Sequence, residues 1–246
     1  MEMINSLTEA LNDLAKACRI LEMEGHGDMS LGHLSLRDPD GRGFWMKRNA
    51  FGLGEIVGPD DFVLVDMDGN KIAGQGGRHS EWPIHSEVLR NRPDVNVVGH
   101  THPTYASVLS AATESLLPYT LDADYFTGVP RHEADVALIT TKEEGQELAK
   151  ALADGFVVLM ANHGITFAGT SIEHATCVAV FFEKACKAHV IGSGADIKPS
   201  FPSTRVRRKR NSQIMTPVHW EHSWGYFTRK LGAASATTSG RVQIYR

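Results

Sequence analysis

The sequence predicts an α/β protein of the α+β type, in which helices flank a central, mostly antiparallel sheet. Short apolar runs are joined by tight turns such as Asp68-Gly69, which is typical of β-hairpins. Other segments repeat apolar residues every three or four positions, which indicates amphipathic helices. The two kinds of segment alternate irregularly, so hairpins mix with crossovers around one sheet. The 246 residues are enough for one sizeable domain.

The first half opens on a predicted helix over residues 6–24, where leucines recur at helical spacing. The glycine-rich segment 25–37 ends in an alternating, strand-like run, and a turn over 38–41 leads to a second strand. A loop over 47–58 lacks periodicity. The polar, glycine-rich segment 74–80 ends at Ser80, which is the expected N-cap of the next helix. Pro83 lies in the first turn of that helix. The remaining predicted elements of this half are strands 44–46, 62–66 and 71–73 and the helix 81–91.

The second half continues with strands and helices as far as Gly192, which is expected to close a long helix. The last fifty residues differ in composition: they hold a basic run, an aromatic segment that is a candidate helix, and a small, polar stretch expected to form part of a flexible tail. The strands are predicted at 95–99, 136–139, 156–160 and 165–169, the helices at 103–114, 142–153 and 171–192, an irregular segment at 118–134, and the basic, aromatic and polar stretches at 205–210, 219–227 and 233–240.

Composition narrows the class of protein. The net charge of −4 gives no general reason to expect a nucleic-acid partner, and the basic run is more typical of a solvated or subunit-facing segment. Three cysteines without a C-x-x-C spacing indicate a reducing compartment rather than a disulfide scaffold. Neither a signal peptide nor an apolar stretch of membrane-spanning length is evident, so we expect a cytoplasmic protein without a membrane partner.

Two histidines stand at the end of the predicted strand 95–99. Alternate side chains of a strand share a face, so His100 and His102 point the same way and can bind one divalent ion. A fuller shell needs more ligands, and His163 follows another strand-like run. An H-x-H pair alone is a weak signal, but the second histidine site strengthens it. Imidazole ligands suit zinc, manganese, iron and cobalt, and a catalytic ion would keep one position open for substrate.

Glu81 opens the helix upstream of this pair. Two functional interpretations stand side by side: a fourth metal ligand, or an acid/base group that exchanges a proton with a carbon centre. An ordinary first-turn acid that complements the helix dipole is the structural alternative.

Other polar residues are candidates for substrate binding. His33 lies in a glycine-rich turn, where it could bind an anion or only cap the hairpin. Arg78, His79 and Ser80 precede a helix N-terminus, which can bind an anion, although a solvated loop is the alternative. His85 is interpreted as a packing residue or as a partner of a site residue.

Four motifs in this order resemble the class II aldolase and adducin family, which includes sugar-phosphate aldolases such as fuculose-phosphate aldolase, epimerases and decarboxylases. The motifs are G-x-x-S-x-R, S-E-x-x-x-H, R-P-D-x-x-x-V-x-H-x-H-P and N-H-G, and the resemblance covers roughly residues 6–195. We therefore expect a catalytic domain over 1–195 and a C-terminal extension over 196–246 with a flexible end.

The resemblance implies particular roles. His100, His102 and His163 would bind one catalytic divalent metal ion per subunit, and Glu81 would be the acid/base. The implied fold is a nine-stranded, mostly antiparallel sheet, and the implied assembly is a four-fold homotetramer with active sites between subunits. A tyrosine of the neighbouring subunit would supply a proton, and its nearest counterpart is Tyr119.

The chain departs from the sugar-phosphate members of the family, which hold phosphate with the hydroxyls and amides of S-G-N-x-S, T-x-[ST]-G and S-S-E motifs. Here the corresponding segments read Leu31-Gly32-His33-Leu34-Ser35, Asn49-Ala50-Phe51-Gly52 and His79-Ser80-Glu81. Most of those hydroxyls are gone, although Ser35 stays a substrate-binding candidate. The opening G-H-x-S-x-R-D-P is similar to the branch that contains decarboxylases of hydroxylated aromatic or pyridine dicarboxylates.

The sequence therefore favours a metal-dependent carbon–carbon lyase that decarboxylates a hydroxylated aromatic or heteroaromatic acid. Class II aldol cleavage of a small hydroxy-carbonyl or sugar-phosphate substrate is one alternative. A non-catalytic, adducin-like interaction module is a second, which the intact metal histidines argue against. An iron-dependent oxygenase is a third, because three histidines can hold iron.

Overall fold

The computed structural model describes residues 2–133 and 135–241, with side chains from Ser6 to Ala234 apart from residue 134. The central sheet has eight strands in the order β4-β3-β2-β1-β5-β8-β7-β6 within this part of the chain. All neighbouring strands pair antiparallel except β6 and β7, which are parallel. The strands are β1 His33–Arg37, β2 Phe44–Lys47, β3 Phe62–Val65, β4 Lys71–Ala73, β5 Val97–Thr101, β6 Arg131–His132, β7 Val157–Met160 and β8 Gly164–Gly169.

Seven α-helices accompany the sheet in the described residues. Helix α1 continues into a π-helical turn, Glu22–His26, and short 3-10 turns form at Leu53–Glu55, Pro59–Asp61 and Leu121–Tyr125. No helix of this part of the chain is long and apolar enough to cross a membrane. The helices are α1 Glu2–Leu21, α2 Trp82–Asn91, α3 Thr104–Ser110, α4 Lys142–Leu152, α5 Ile172–Gly194, α6 Thr204–Ile214 and α7 Pro217–Arg241.

Two apolar cores lie on opposite faces of the sheet. Adjacent strand residues divide between them, because side chains alternate along a strand: Val97 belongs to one core and Val98 to the other. Helices α2 and α4 cover one face, while α1, α3 and α5 cover the other. A sheet covered on both faces matches the predicted fold class, which is confirmed.

Three local predictions are wrong. Residues 136–139 form no strand: Val136 and Leu138 are exposed, and the N–H of Ile139 donates to a carboxylate instead of to a neighbouring strand. The short strand β6 lies in the segment expected to be irregular. Ser80 does not cap α2, since Glu81 occupies the N-cap position without a side-chain capping bond and Ser80 is exposed.

The C-terminal extension contains the last two helices. The basic run lies in α6 and the aromatic segment in α7, which packs on α5 and α1. The stretch 233–240 lies within α7. The rest of the predicted flexible end, residues 242–246, lies outside the described residues, and the division at residue 195 stays a prediction.

The buried histidine His174 gives a prediction about stability at low pH. It packs between Phe156 and Trp220, and its Nδ1 accepts from the Thr170 N–H at 3.3 Å. Burial lowers the pKa of His174 to about 4, so the unfolded chain binds one proton more than the folded chain between that value and about 6.5. Because the pKa is lowered on folding, its protonation destabilises the fold as the pH falls through this window.

His174→Phe should therefore make the free energy of unfolding less sensitive to acid. The difference between pH 6 and pH 5 should shrink by about 1 kcal/mol relative to the wild type, as measured by urea unfolding at each pH. The other buried histidines are common to both proteins and cancel in this comparison. Equal pH slopes would show that His174 is not held neutral by its surroundings.

Candidate active site and metal centre

His100 and His102 lie at the carboxyl end of β5, in the middle of the sheet. Strand β5 pairs with β1 on one side and β8 on the other, which buries His100 completely. His163 comes from the turn between β7 and β8, directly after Asn162, whose φ is 55°. Gly164 follows, and a Cβ there would lie 2.6 Å from the Thr101 carbonyl oxygen. Only glycine lets the turn approach β5 this closely.

The three histidine rings converge. Ring centroids are 4.7 Å apart for His100 and His102, and 4.9 Å from His163 to either one. One ring nitrogen from each of the three lies within 4.8 Å of the others. The structure thus brings together the three predicted metal ligands.

Hydrogen bonds fix which nitrogen of each ring faces the shared space. His100 Nδ1 donates to the Ile165 carbonyl at 2.9 Å, and His102 Nδ1 donates to Asp28 Oδ2 at 2.8 Å. Their Nε2 atoms are then unprotonated, yet they lie only 2.9 Å apart. Two lone pairs at that distance repel each other unless a cation lies between them. Nitrogens that share a zinc ion at about 2.0–2.1 Å cannot be more than about 4.2 Å apart, so these residues fit a divalent metal.

Glu81 lies directly beside these donors. Its Oε2 is 3.6 Å from His33 Nε2 and 3.7 Å from His100 Nε2, while its Oε1 accepts from the Ile139 N–H at 3.1 Å. The side chain is buried, and burial raises the pKa of this carboxyl above its ordinary value, against the smaller opposing effects of the Ile139 N–H and His102. An exposed first-turn acid would show neither feature, and Glu81 instead lies in the same buried cluster as His33 and His100.

A second group of imidazoles forms the wall behind Glu81. His33 Nδ1 lies 2.7 Å from His85 Nε2, and His85 Nδ1 lies 2.7 Å from Ser35 Oγ. His79 stacks at a tilt on His33, with centroids 4.5 Å apart. Burial lowers the pKa of His79 and His85 to about 3 each, and lowers that of His33 as well, so this wall is neutral at physiological pH.

The remaining predicted site residues have other surroundings. Arg78 donates to the Gly69 and His79 carbonyls and lies over the Trp82 ring. Ser80 is exposed. Tyr119 packs edge-on against His189 and Phe201.

Two further residues near the site have roles that sequence reasoning did not assign to them. Asp28 orients His102, although the glycine-rich segment around it gave no sign of this role. Lys47 is fully buried, and its ammonium donates to the carbonyls of Phe51 and Ser30. Burial lowers the pKa of Lys47 to about 8. Its carbonyl partners are backbone atoms, and no residue pattern reveals them.

Comparison with known proteins agrees with this geometry. Residues 12–190 match the family model of the Class II Aldolase and Adducin N-terminal domain, and the chain belongs to this family. It is 34% identical to a 3,4-dihydroxyphthalate decarboxylase of Arthrobacter keyseri, over 68% of this chain and 72% of that protein. It is 32% identical to the meiotically up-regulated gene 14 protein of Schizosaccharomyces pombe, over 74% and 72%.

A solved structure agrees as well. The chain superposes on an aldolase II superfamily protein from Pseudomonas syringae with a TM-score of 0.83 and 27% identity, covering 92% of this chain and 93% of that one. The predicted family is confirmed. So is the predicted enzyme class, a lyase of the decarboxylase or aldolase type.

The geometry predicts that metal binding depends on His100. His100→Ala should weaken zinc binding by more than about a hundredfold, because losing even a supporting partner of a ligand costs 10- to 100-fold. Competition with a chromophoric chelator measures this. His222→Ala, an equivalent change at an exposed position of α7, should bind zinc like the wild type. Equal zinc affinities for the two variants would contradict the ligand assignment.

Proposed function

We propose that the chain is a divalent-metal-dependent, non-oxidative decarboxylase of a hydroxylated aromatic or heteroaromatic carboxylate. His100, His102 and His163 would hold one zinc, manganese, iron or cobalt ion per subunit. The observation that carries the proposal is the position of Glu81, a buried carboxyl whose Oε2 faces the space that the metal histidines share. The decarboxylase relative at 34% identity supports the same reaction class.

The chemistry needs stabilisation of negative charge and a proton. A divalent ion in this site supplies a Lewis acid for an oxygen beside the reacting carbon. Glu81 would supply the proton: burial raises the pKa of this carboxyl and so favours its protonated form, and the Ile139 N–H occupies Oε1, which leaves Oε2 to present the proton. As the carbon–carbon bond breaks and carbon dioxide leaves, its electron pair stays on the ring carbon, which takes this proton. Water then returns a proton to Glu81.

The wall of the site suits a carboxylate better than a phosphate. Nearby basic groups already have partners within the protein: Lys47 binds two carbonyls, Arg48 pairs with Asp61 at 2.7 Å, and Arg78 binds two carbonyls. Neutral imidazoles remain, and the Nε2 atoms of His33 and His79 have no hydrogen-bond partner in the described residues. A hydroxyl or carboxylate of a small acid is the ligand that such nitrogens can bind.

Aldol cleavage is the second candidate. It also leaves electrons on a carbon beside a metal-held oxygen, and Glu81 with the three histidines would serve it equally. Lys47 and Arg78 bind carbonyls and Arg48 pairs with Asp61, with only the Arg48 Nε left without a partner in the described residues, and this pairing weighs against a phosphorylated substrate. A non-catalytic module would have no use for a buried carboxyl among buried imidazoles, because such burial is costly.

Glu81→Gln tests whether Glu81 is the proton donor. The variant should keep wild-type zinc affinity and lose about 10²- to 10⁴-fold in turnover, since an amide cannot give up the proton. Carbon dioxide release would be followed by mass spectrometry with zinc- or manganese-loaded protein, against ortho-hydroxy aromatic and pyridine carboxylates. Glu147→Gln, at an exposed position of α4, is the matched control and should be unaffected.

The same assay separates the alternatives when oxygen is excluded. Metal-dependent carbon dioxide release without oxygen supports the decarboxylase and removes the oxygenase. If loaded protein releases none across the panel but cleaves hydroxy-carbonyl substrates to aldehydes, the decarboxylase proposal is wrong and the aldolase replaces it.

Tyr119 is proposed to complete the site of a neighbouring copy in a homotetramer. Both Tyr119→Phe and Glu81→Gln should be nearly inactive alone, while mixed assemblies should regain part of the activity, because some sites then combine an intact Glu81 with an intact Tyr119. Light scattering would report the size of the assembly. A monomer, or mixed assemblies without recovered activity, would rule out the shared site.

A further inference from the structure

Lys47 lies at the end of β2, and its side chain is fully buried. The ammonium donates to the Phe51 carbonyl and to the Ser30 carbonyl, the latter at 3.4 Å. Taking a charged group out of water is costly unless its hydrogens find acceptors, so the two carbonyls fix the position of this head group. Ser30 and Phe51 belong to different loops, and the Lys47 ammonium therefore joins these loops.

The Ser30 carbonyl belongs to the tight turn 28–31. The Leu31 N–H donates to the Asp28 carbonyl at 2.9 Å, and Met29 has a φ of 48°. A positive φ is uncommon outside glycine and persists only where the surroundings hold it. The Met29 side chain is 79% exposed, so contacts of the backbone of the turn have to supply this support.

Two backbone contacts join this turn to the loop that follows Lys47. One is the hydrogen bond from the Lys47 ammonium to the Ser30 carbonyl. The other is a close approach of the Met29 carbonyl to Gly52, where a Cβ would lie 2.6 Å from the carbonyl oxygen. Because Lys47 also binds the carbonyl of Phe51, the residue before Gly52, its head group holds the turn and the loop together.

The turn carries Asp28, whose Oδ2 accepts a hydrogen bond from His102 Nδ1 at 2.8 Å. This bond sets the orientation of the imidazole, so that its Nε2 lies beside that of His100. A carboxylate that holds the second nitrogen of a metal-binding histidine tunes both the orientation and the basicity of the ring. The Asp28 backbone is part of the turn that Lys47 holds, so the position of the carboxylate depends on that ammonium.

We propose that Lys47 is a positioning residue of the metal centre: its ammonium holds the turn 28–31, and the turn places Asp28 against His102. Lys47 acts on the metal through these residues. The inference rests on the proposed metal-dependent function. An apolar side chain of similar length would fill the same space but leave both carbonyls without a donor, and the turn would lose one of its two contacts with the loop.

Lys47→Met tests this through zinc binding, measured by competition with a chromophoric chelator and without any assay of turnover. Zinc affinity should fall about tenfold, at the lower end of the range for the loss of a partner of a metal ligand. Arg37→Met is the matched control. Arg37 also donates to backbone carbonyls, those of Leu89, Arg92 and Val95, but it lies at the far end of β1 from the metal site. Its replacement should leave zinc affinity unchanged.

A double-mutant cycle with Asp28→Ala shows whether Lys47 acts through Asp28. Asp28→Ala alone should weaken zinc binding by about 10- to 100-fold. In that background Lys47→Met should add less than about a twofold loss, because the carboxylate that the turn positions is already gone. Cobalt-loaded protein gives a second readout. The visible absorption of the ion should change in the same direction in both single variants and stay as in the wild type in Arg37→Met.

The outcomes are separable. Equal losses of zinc affinity in Lys47→Met and Arg37→Met, or losses in Lys47→Met and Asp28→Ala that simply multiply, would overturn the inference. If Lys47→Met does not fold, Lys47→Gln replaces it, since a shorter amide keeps a donor but cannot reach both carbonyls. Wild-type affinity in the folded Lys47 variant, with metal lost in His100→Ala, would also overturn the inference and leave the proposed function standing. A wild-type protein that binds neither zinc, manganese, iron nor cobalt would overturn both.

Discussion

The 2.9 Å separation between the Nε2 atoms of His100 and His102 is the constraint on which the rest of the site depends. Neither ring can turn away, because Ile165 and Asp28 hold the opposite nitrogens. The fold thus directs both Nε2 atoms into one space, where a divalent ion would have two imidazole ligands. Support of this kind is typical of functional sites, where surrounding groups fix the orientation of each side chain.

The sheet supplies the rigidity that this constraint needs. Strand β5 is central, paired on both sides and covered on both faces, so its end cannot shift without breaking the ladders to β1 and β8. Close contacts reinforce it: a Cβ at Gly99 would lie 2.1 Å from the Phe167 ring. Sites on strands hold their geometry better than sites on loops. The site combines strand residues with loop residues. Glu81 and His163 lie on turns, and the ends of strands and hydrogen bonds hold these turns in position.

Much of the site could be predicted because its signals are local. An H-x-H at a strand end places two rings on one face, and Glu81 and His163 stand at the ends of elements that a sheet brings together. The supporting residues could not be predicted. Asp28 reaches His102 across 74 positions, and His85 reaches His33 across 52, contacts that only the register between elements decides. The prediction of a strand over residues 136–139 was wrong for the same reason. The Ile139 N–H donates to Glu81, so it does not pair with a neighbouring strand.

The basic run near the C-terminus shows that a charge pattern alone does not identify the groups that its side chains bind. Arg207 and Arg210 both reach Asp124, a buried carboxylate in the turn Leu121–Tyr125, at 2.9 and 3.3 Å. A buried carboxylate is costly unless it is paired, so these arginines stabilise the fold around Asp124. Arg207 also binds the carbonyls of Ala123 and Phe126. The extension thereby fastens the segment that follows Tyr119, the residue proposed to act in a neighbouring copy.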